Sequence, residues 1–386
     1  MFPRVTLLYR LLAVCVFVSL IMILLQTADD RVHNKRLPVL LQYANEALRE
    51  HDSNVDLKSL GKNTKVLNTN NSANITKITN RYTDPSTTRS PPVNPHNFKF
   101  LINPKNTCKS KSLKYMIYVH SAPKNHKKRQ MVRQTWGSRA VLEKYNMRIV
   151  FIMGLVDDKS TMGRVKYESN TYNDIVVENF VDSYRNLTFK AIAGIKWVSR
   201  YCDNVTFVIK SDDDILIDMH ALMEQMNSTE IKSYGTKNLI MCNQWVRMKV
   251  IRDKKSKWYI SEEEFPDEFF PPYCSGSVFI MSIDAVKRMY QASLDTTFFW
   301  VDDFYLTGLL VKKIGIEHKR LNENYMLNAR LALDKLKEDK KHELRFFHVH
   351  KLTHIYRMWS ILKERMNSTC DDCLTHPPNI NMTSLT

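Results

Sequence analysis

Residues Val205–Asp214 read VTFVIKSDDD. A short apolar, β-branched run that stops on three consecutive carboxylates is the pattern of a buried strand ending at an edge of its sheet. In open α/β sheets, ligands bind at the carboxyl ends of the strands. Residues two apart in extended chain face the same way, so Asp212 and Asp214 can reach one centre. Three charges beside a buried strand are costly unless a cation compensates them, and oxygen donors suit Mn²⁺ or Mg²⁺. A solvated acidic loop is the plainer reading of the same residues.

The flanking sequence alternates strands with helices. Lys114–His120 (KYMIYVH), Arg148–Met153 (RIVFIM), Ile175–Val177 and Ser277–Ser282 (SVFIMS) read as further strands. Lys127–Gly137 and Leu187–Arg200 have helical spacing, and Asp303–Lys313 reads as a third helix. The expectation is an α/β domain with a largely parallel sheet.

Only 9 glycines occur, and no two form a G-x-G pattern, which excludes the dinucleotide fingerprint and the P-loop. Phosphate, if handled, is held without a glycine cradle. The net charge of +17 admits nucleic acid, an anionic membrane surface or an anionic small substrate as partner. Residues 1–107 carry +7 of it and the remainder +10, so a good share lies outside the expected folded body and requires no ligand.

Leu11–Leu25 (LLAVCVFVSLIMILL) has Ser19 as its one polar residue. Extended to Val5 and Ala28 it is 24 residues, about 36 Å of helix, enough to cross a bilayer. Arg4 and Arg10 precede it and favour a cytoplasmic N-terminus. A cleaved signal peptide is the competing reading, without a small-x-small site to support it. The expected layout is a tail and single-pass signal-anchor over 1–28, a flexible lumenal stem over 29–107 and a body over 108–386. In Gly61–Thr107, 18 of 47 residues are Asn or Thr, too little apolar surface to offset ordering entropy. A lumenal body meets no nucleic acid. Sequons at Asn70, Asn74, Asn186, Asn204, Asn227, Asn367 and Asn381 fit that side of a membrane. So do six cysteines beyond the span, an even number suited to disulfides whose pairing the sequence leaves open.

A second acidic pair, Asp302 and Asp303, follows the apolar Phe298–Val301. Shielded from water, such a carboxylate gains basicity and can act as a general base, while Asp is equally at home capping a helix. His348 and His350 flank one residue, and an imidazole there can complete a metal shell. Lys124, Lys127, Lys128, Arg129, Arg133 and Arg139 form an acid-free basic stretch, either a phosphate-holding patch or a solvated helix face. Trp258, Tyr259, Tyr273 and Trp300 are platforms for sugar rings or core residues.

Six blocks in order resemble the β1,3-glycosyltransferase family of galactosyl-, N-acetylglucosaminyl- and fringe-type enzymes (glycosyltransferase family 31). They are Ser121–Gly137 (SAPKNHKKRQMVRQTWG), Phe151–Gly154 (FIMG), Tyr172–Lys190 (YNDIVVENFVDSYRNLTFK), Lys210–Asp218 (KSDDDILID), Lys257–Gly276 (KWYISEEEFPDEFFPPYCSG) and Val301–Gly308 (VDDFYLTG). The resemblance implies a GT-A-type, Rossmann-like nucleotide-sugar transferase domain behind the anchor and stem. It implies an inverting, metal-dependent transfer from a UDP-sugar to a glycoprotein or glycolipid acceptor at a Golgi membrane, by a type II protein. Galactose is the leading donor sugar, with N-acetylglucosamine or N-acetylgalactosamine as alternatives and a non-catalytic glycan-binding protein or a phosphoester hydrolase further off. In that reading Asp212 and Asp214 hold Mn²⁺ (or Mg²⁺), with His348 the matching imidazole and His350 its competitor. Asp303, beside Asp302, is the general base. Ser121, Arg129, Arg133, Lys210 and Asp213 fall on the donor side, the two arginines serving either the nucleotide or helix packing. Trp258, Tyr273 and Gly276 fall around the acceptor or donor sugar. The chain departs from the family at Phe304 and at Ser277–Phe279.

Overall fold

The computed structural model describes residues 93–375 apart from 95 and 111, with side chains to residue 366. The expected anchor, most of the stem, and Asn70, Asn74 and Asn381 lie outside the described residues, as do the side chains of Asn367, Cys370 and Cys373. Among the described residues no helix is long and apolar enough to cross a membrane.

Strands β1 (Phe100–Ile102), β2 (Tyr115–His120), β3 (Met147–Leu155), β4 (Ile175–Val181), β5 (Phe207–Asp212), β6 (Ile215–Ile217), β7 (Ile240–Trp245), β8 (Met248–Lys249), β9 (Phe269–Phe270), β10 (Tyr273–Ser282), β11 (His318–Arg320), β12 (Tyr325–Met326) and β13 (Phe346–His348) form three sheets. The largest has the order β1-β4-β3-β2-β5-β10-β7-β11. β2, β3, β4 and β5 are mutually parallel, as the sequence suggested. β10 runs antiparallel between β5 and β7, and β1 runs antiparallel on the edge beside β4. β1 lies inside the stretch read as stem, so the folded unit extends back past residue 108.

Both faces of the sheet are covered, which is why β2 reads as an unbroken apolar run. Tyr115, Ile117 and Val119 enter one core, and Met116 and Tyr118 enter the other. Helix α1 (His126–Gln134) contributes Met131 and Val132 to the first core, while α2 (Leu187–Tyr201) fills the second with Ala191, Ile192, Ile195 and Val198. Two disulfides pin the periphery. Cys108–Cys202 ties the approach to β2 to the end of α2, and Cys242–Cys274 joins neighbouring β7 and β10.

Two smaller pieces bring distant residues to the carboxylate edge. β13 pairs antiparallel with β6, placing His348 opposite Ile215, and Val349 N–H donates to Asp214 O at 2.9 Å. β8 and β9 close an excursion between β7 and β10. Its apolar residues Val250, Ile260 and Phe270 form a third small core with Tyr273, Trp300 and Phe304.

Candidate functional site

The parallel register sets His120 opposite Asp212, so both lie at the C-terminal edge. The chain then turns through Asp213 and Asp214 into β6. Each carboxylate of the run has a different surrounding. Asp212 accepts from Lys210 Nζ at 2.6 Å. Loss of water pushes its pKa to about 7, against the pull of Lys210 and with a further push from Asp214 and Asp302. Asp213 is buried and fully bonded, accepting from Ser121 Oγ and Asn125 Nδ2 at 2.8 Å each and from Lys128 Nζ at 2.9 Å. Asp214 accepts from the same Lys128 Nζ at 3.0 Å, and its other oxygen faces His348 Nε2 at 3.9 Å.

The His348 ring has a defined orientation. Its Nδ1 lies 3.2 Å from Leu327 O, and a carbonyl can only accept, so Nδ1 carries the hydrogen. In the neutral ring Nε2 then presents a lone pair toward Asp214. Among the described residues no group of three or more His, Cys, Asp and Glu is placed to hold a metal ion; Asp214 and His348 offer two donors, an anionic oxygen and an imidazole nitrogen, of the chemistry divalent cations take. Asp212, turned toward Lys210, is not part of that pair, and His350 stands edge-on against the His348 ring.

Asp302 and Asp303 begin the helical turn Asp302–Phe304, which continues into a π-helical turn, Tyr305–Leu310. Val301 is the N-cap of this turn and makes no side-chain cap bond, so neither Asp caps it; Asp303 Oδ1 accepts from the next N–H, that of Phe304, at 2.8 Å. Burial first, then the neighbouring Asp302 charge, raises Asp303 to about 7. Asp302 is raised as well, through burial. His120 connects the two acidic groups, its Nδ1 lying 3.9 Å from both Asp212 and Asp302. Lys210 connects them on the other side, donating to Asp212 and to Gly276 O.

Asp302 and Asp303 lie in a cavity of about 410 Å³ whose walls include Tyr184, Trp258, Tyr273 and Trp300. Trp258 is half exposed at the rim, and Tyr184 and Arg185 come from the turn ahead of α2. Arg185 stacks over Trp300, and Lys257 sits over both Trp258 and Tyr184. The structure therefore gathers Trp258, Tyr273, Gly276, Asp302 and Asp303 on one side. It gathers Ser121, Asp213, Asp214 and His348 on the other.

Arg129 reaches the site through Ser121, donating to its Oγ at 3.1 Å, whereas Arg133 lies elsewhere. Arg129 is fully buried, gripping Glu168 with two bonds and the carbonyls of Ala122 and Pro123. Arg133 grips Asp174 with two bonds and also meets Glu168. Arg133 thus bonds within the packing of α1, while Arg129 does so and also holds the Ser121 hydroxyl that donates to Asp213. Of the sequons, Asn186 donates to Val181 O, Asn204 donates to Cys108 O and Ser110 O, and Asn227 is exposed. Sequence reasoning missed His120, Asn125 and the role of Lys128. His120 was findable as the last residue of its strand, in register with Asp212.

The galactosyltransferase family model matches residues 127–322. Human beta-1,3-galactosyltransferase 1 is 34% identical over 228 residues, covering 59% of this chain and 69% of that protein. Human lactosylceramide 1,3-N-acetyl-beta-D-glucosaminyltransferase is 31% identical over 226 residues, covering 57% and 59%. Among solved structures, galactosyltransferase LgtC in complex with donor and acceptor sugar analogs aligns over 64% of this chain and 95% of that one. Its identity is 11% and its TM-score 0.34, a likeness too slight to bear on the site. With the family model spanning half the chain and its acidic residues gathered at one sheet edge, the chain belongs to the galactosyltransferase family of β1,3-glycosyltransferases and is a UDP-sugar-dependent enzyme.

Proposed function

We propose that this chain is an inverting, metal-dependent β1,3-galactosyltransferase of GT-A type. It moves galactose from UDP-galactose to a hydroxyl of a glycoprotein or glycolipid glycan, anchored by its N-terminus in the Golgi membrane with the body lumenal. The observation that carries the reading is Asp303, a buried carboxylate in an aromatic-lined cavity that it shares with Asp302, which His120 links to Asp212 of the acidic run. Burial and the neighbouring Asp302 charge make this carboxylate more basic than an exposed one and so better matched to taking a hydroxyl proton.

Asp214 Oδ1 and His348 Nε2 would hold the cation, which when bound neutralises charge on the diphosphate. The aromatic walls hold the acceptor ring by its apolar face and keep bulk water from Asp303. Asp303 accepts the proton of the acceptor hydroxyl as that oxygen forms its bond to the anomeric carbon. The bond from that carbon to the UDP oxygen breaks on the opposite face, so an α-linked donor gives a β-linked product and UDP leaves with the bonding pair. Gly276 leaves Asp303 room on this path, and Lys210 fixes Gly276 against Asp212.

The test is the full-length protein in detergent with Mn²⁺, a panel of UDP-sugars and simple β-linked acceptors. UDP release from UDP-galactose with a β1,3-linked product is expected. Consumption of UDP-N-acetylglucosamine or UDP-N-acetylgalactosamine in its place overturns the donor assignment. UDP release with no acceptor dependence overturns the transfer.

A further inference from the structure

We propose that Lys128 is a built-in counter-cation of the acidic run, one that a divalent metal must displace from Asp214. The proposal rests on the metal-dependent reading above and adds a residue that controls when the metal binds.

Lys128 Nζ bonds two carboxylates at once, Asp213 Oδ1 at 2.9 Å and Asp214 Oδ2 at 3.0 Å. Asp213 is buried and Asp214 partly exposed, and two adjacent anions so placed repel each other, so the ammonium supplies the compensating charge. Asp213 has two other donors in Ser121 and Asn125 and keeps its bonds if the lysine leaves. Asp214 has His348 Nε2 alone on its other side, so it is the carboxylate whose partner can be exchanged. Lys210 cannot serve as the exchangeable cation. It is 1% exposed and bridges Asp212 to Gly276 O within the sheet. Lys128 is 30% exposed in the first turn of α1, on a flexible stem that can swing toward solvent.

A divalent ion on Asp214 Oδ1 and the ammonium on its Oδ2 share one carboxylate, so each weakens the other's hold and their like charges repel. The free protein therefore holds the metal weakly. The diphosphate of the donor adds anionic oxygens that tip the exchange, and the released ammonium is then available to those same phosphates.

The experiment titrates full-length protein with Mn²⁺ in the absence of nucleotide, reading free Mn²⁺ by electron paramagnetic resonance. Lys128→Met should bind Mn²⁺ on the order of tenfold more tightly than the wild type, and UDP should narrow that difference. Mn²⁺ should also raise the melting temperature of Lys128→Met more than that of the wild type. Equal or weaker Mn²⁺ binding by Lys128→Met overturns the proposal while leaving the metal site standing, provided Asp214→Asn abolishes binding. No Mn²⁺ binding by any of these proteins, with or without UDP, overturns the metal-dependent reading and this proposal together. If Lys128→Met fails to fold, acetylation of Lys128 in the wild type, followed by mass spectrometry, should quicken on adding Mn²⁺. An unchanged rate overturns the proposal.

Discussion

Gly276 packs directly against Asp303: a Cβ at this glycine would stand 3.2 Å from Asp303 Cβ and 3.3 Å from its Oδ2. That is closer than side chains ordinarily approach, so even one methyl group shifts the carboxylate by a few tenths of an ångström. We expect Gly276→Ala to lower kcat about tenfold with UDP affinity unchanged, since misplacement of a reacting group by about 1 Å can cost a hundredfold. Steady-state kinetics with calorimetric UDP binding checks this. An unaltered kcat would show that the position of Asp303 is not held by this contact.

Asp303 and Asp214 should fail in different ways. Asp303→Asn removes the proton acceptor and is expected to cut transfer by about a thousandfold while Mn²⁺-dependent UDP binding persists. Asp214→Asn should weaken that binding itself. Calorimetry on both variants decides, and equal loss of UDP affinity contradicts the division of roles.

The raised carboxylates give pH effects of opposite sign on activity and on stability. Asp303 and Asp212 both sit at about 7, above the ordinary carboxylate range, so the folded chain holds these protons more tightly than the unfolded chain does. Their contribution to stability is fully present below about pH 4 and is lost as pH rises through about 7. Transfer rises over the same interval, because the base works only when ionised. A kcat/KM profile that is flat from about pH 5.5 to 8 refutes the base assignment. Metal-free melting temperatures should depend less on pH in Asp303→Asn than in the wild type.

Arg252 organises the wall of the cavity from within. Its guanidinium donates to the carbonyls of Ile260, Ser261, Phe265 and Asp267 at 2.9, 2.7, 2.6 and 3.0 Å, respectively, gathering the loop that carries Trp258. Lysine keeps the charge but lacks the planar fork. Arg252→Lys should raise the acceptor KM severalfold and leave the donor KM unchanged. Equal rises in both would point to general loosening of the domain.

The strand that ends on Asp212–Asp214 was legible because its signal is local: apolar residues, then charge, within ten positions. The parallel core followed from alternating strands and helices. The position of β10 between β5 and β7 was not legible, since strand order is fixed by pairings between residues far apart in sequence. The same holds for Arg129 and Arg133. Their partners Glu168 and Asp174 lie more than thirty residues away, and nothing in the basic run itself announces them. The loop around Arg252 has no hydrophobic period to read, only a cation whose partners are carbonyls. Lys128 was visible only as one charge among six until the fold turned it toward Asp213 and Asp214.

β10 is antiparallel to its neighbour β5, so its beginning, rather than its end, stands at the carboxylate edge. The stretch leading into it, from Val246 to Pro272, is bracketed by the Cys242–Cys274 disulfide. Of the cavity's aromatics, Trp258 belongs to this insert and Tyr273 opens β10, while Tyr184 and Trp300 come from other stretches of the chain. Under the proposed function, changes within this clamped insert reshape one wall of the acceptor cavity, and its packing on Trp300 and Phe304 passes them on to the turn that carries Asp303. Exchanging that insert between relatives would show how much of acceptor preference this one wall carries.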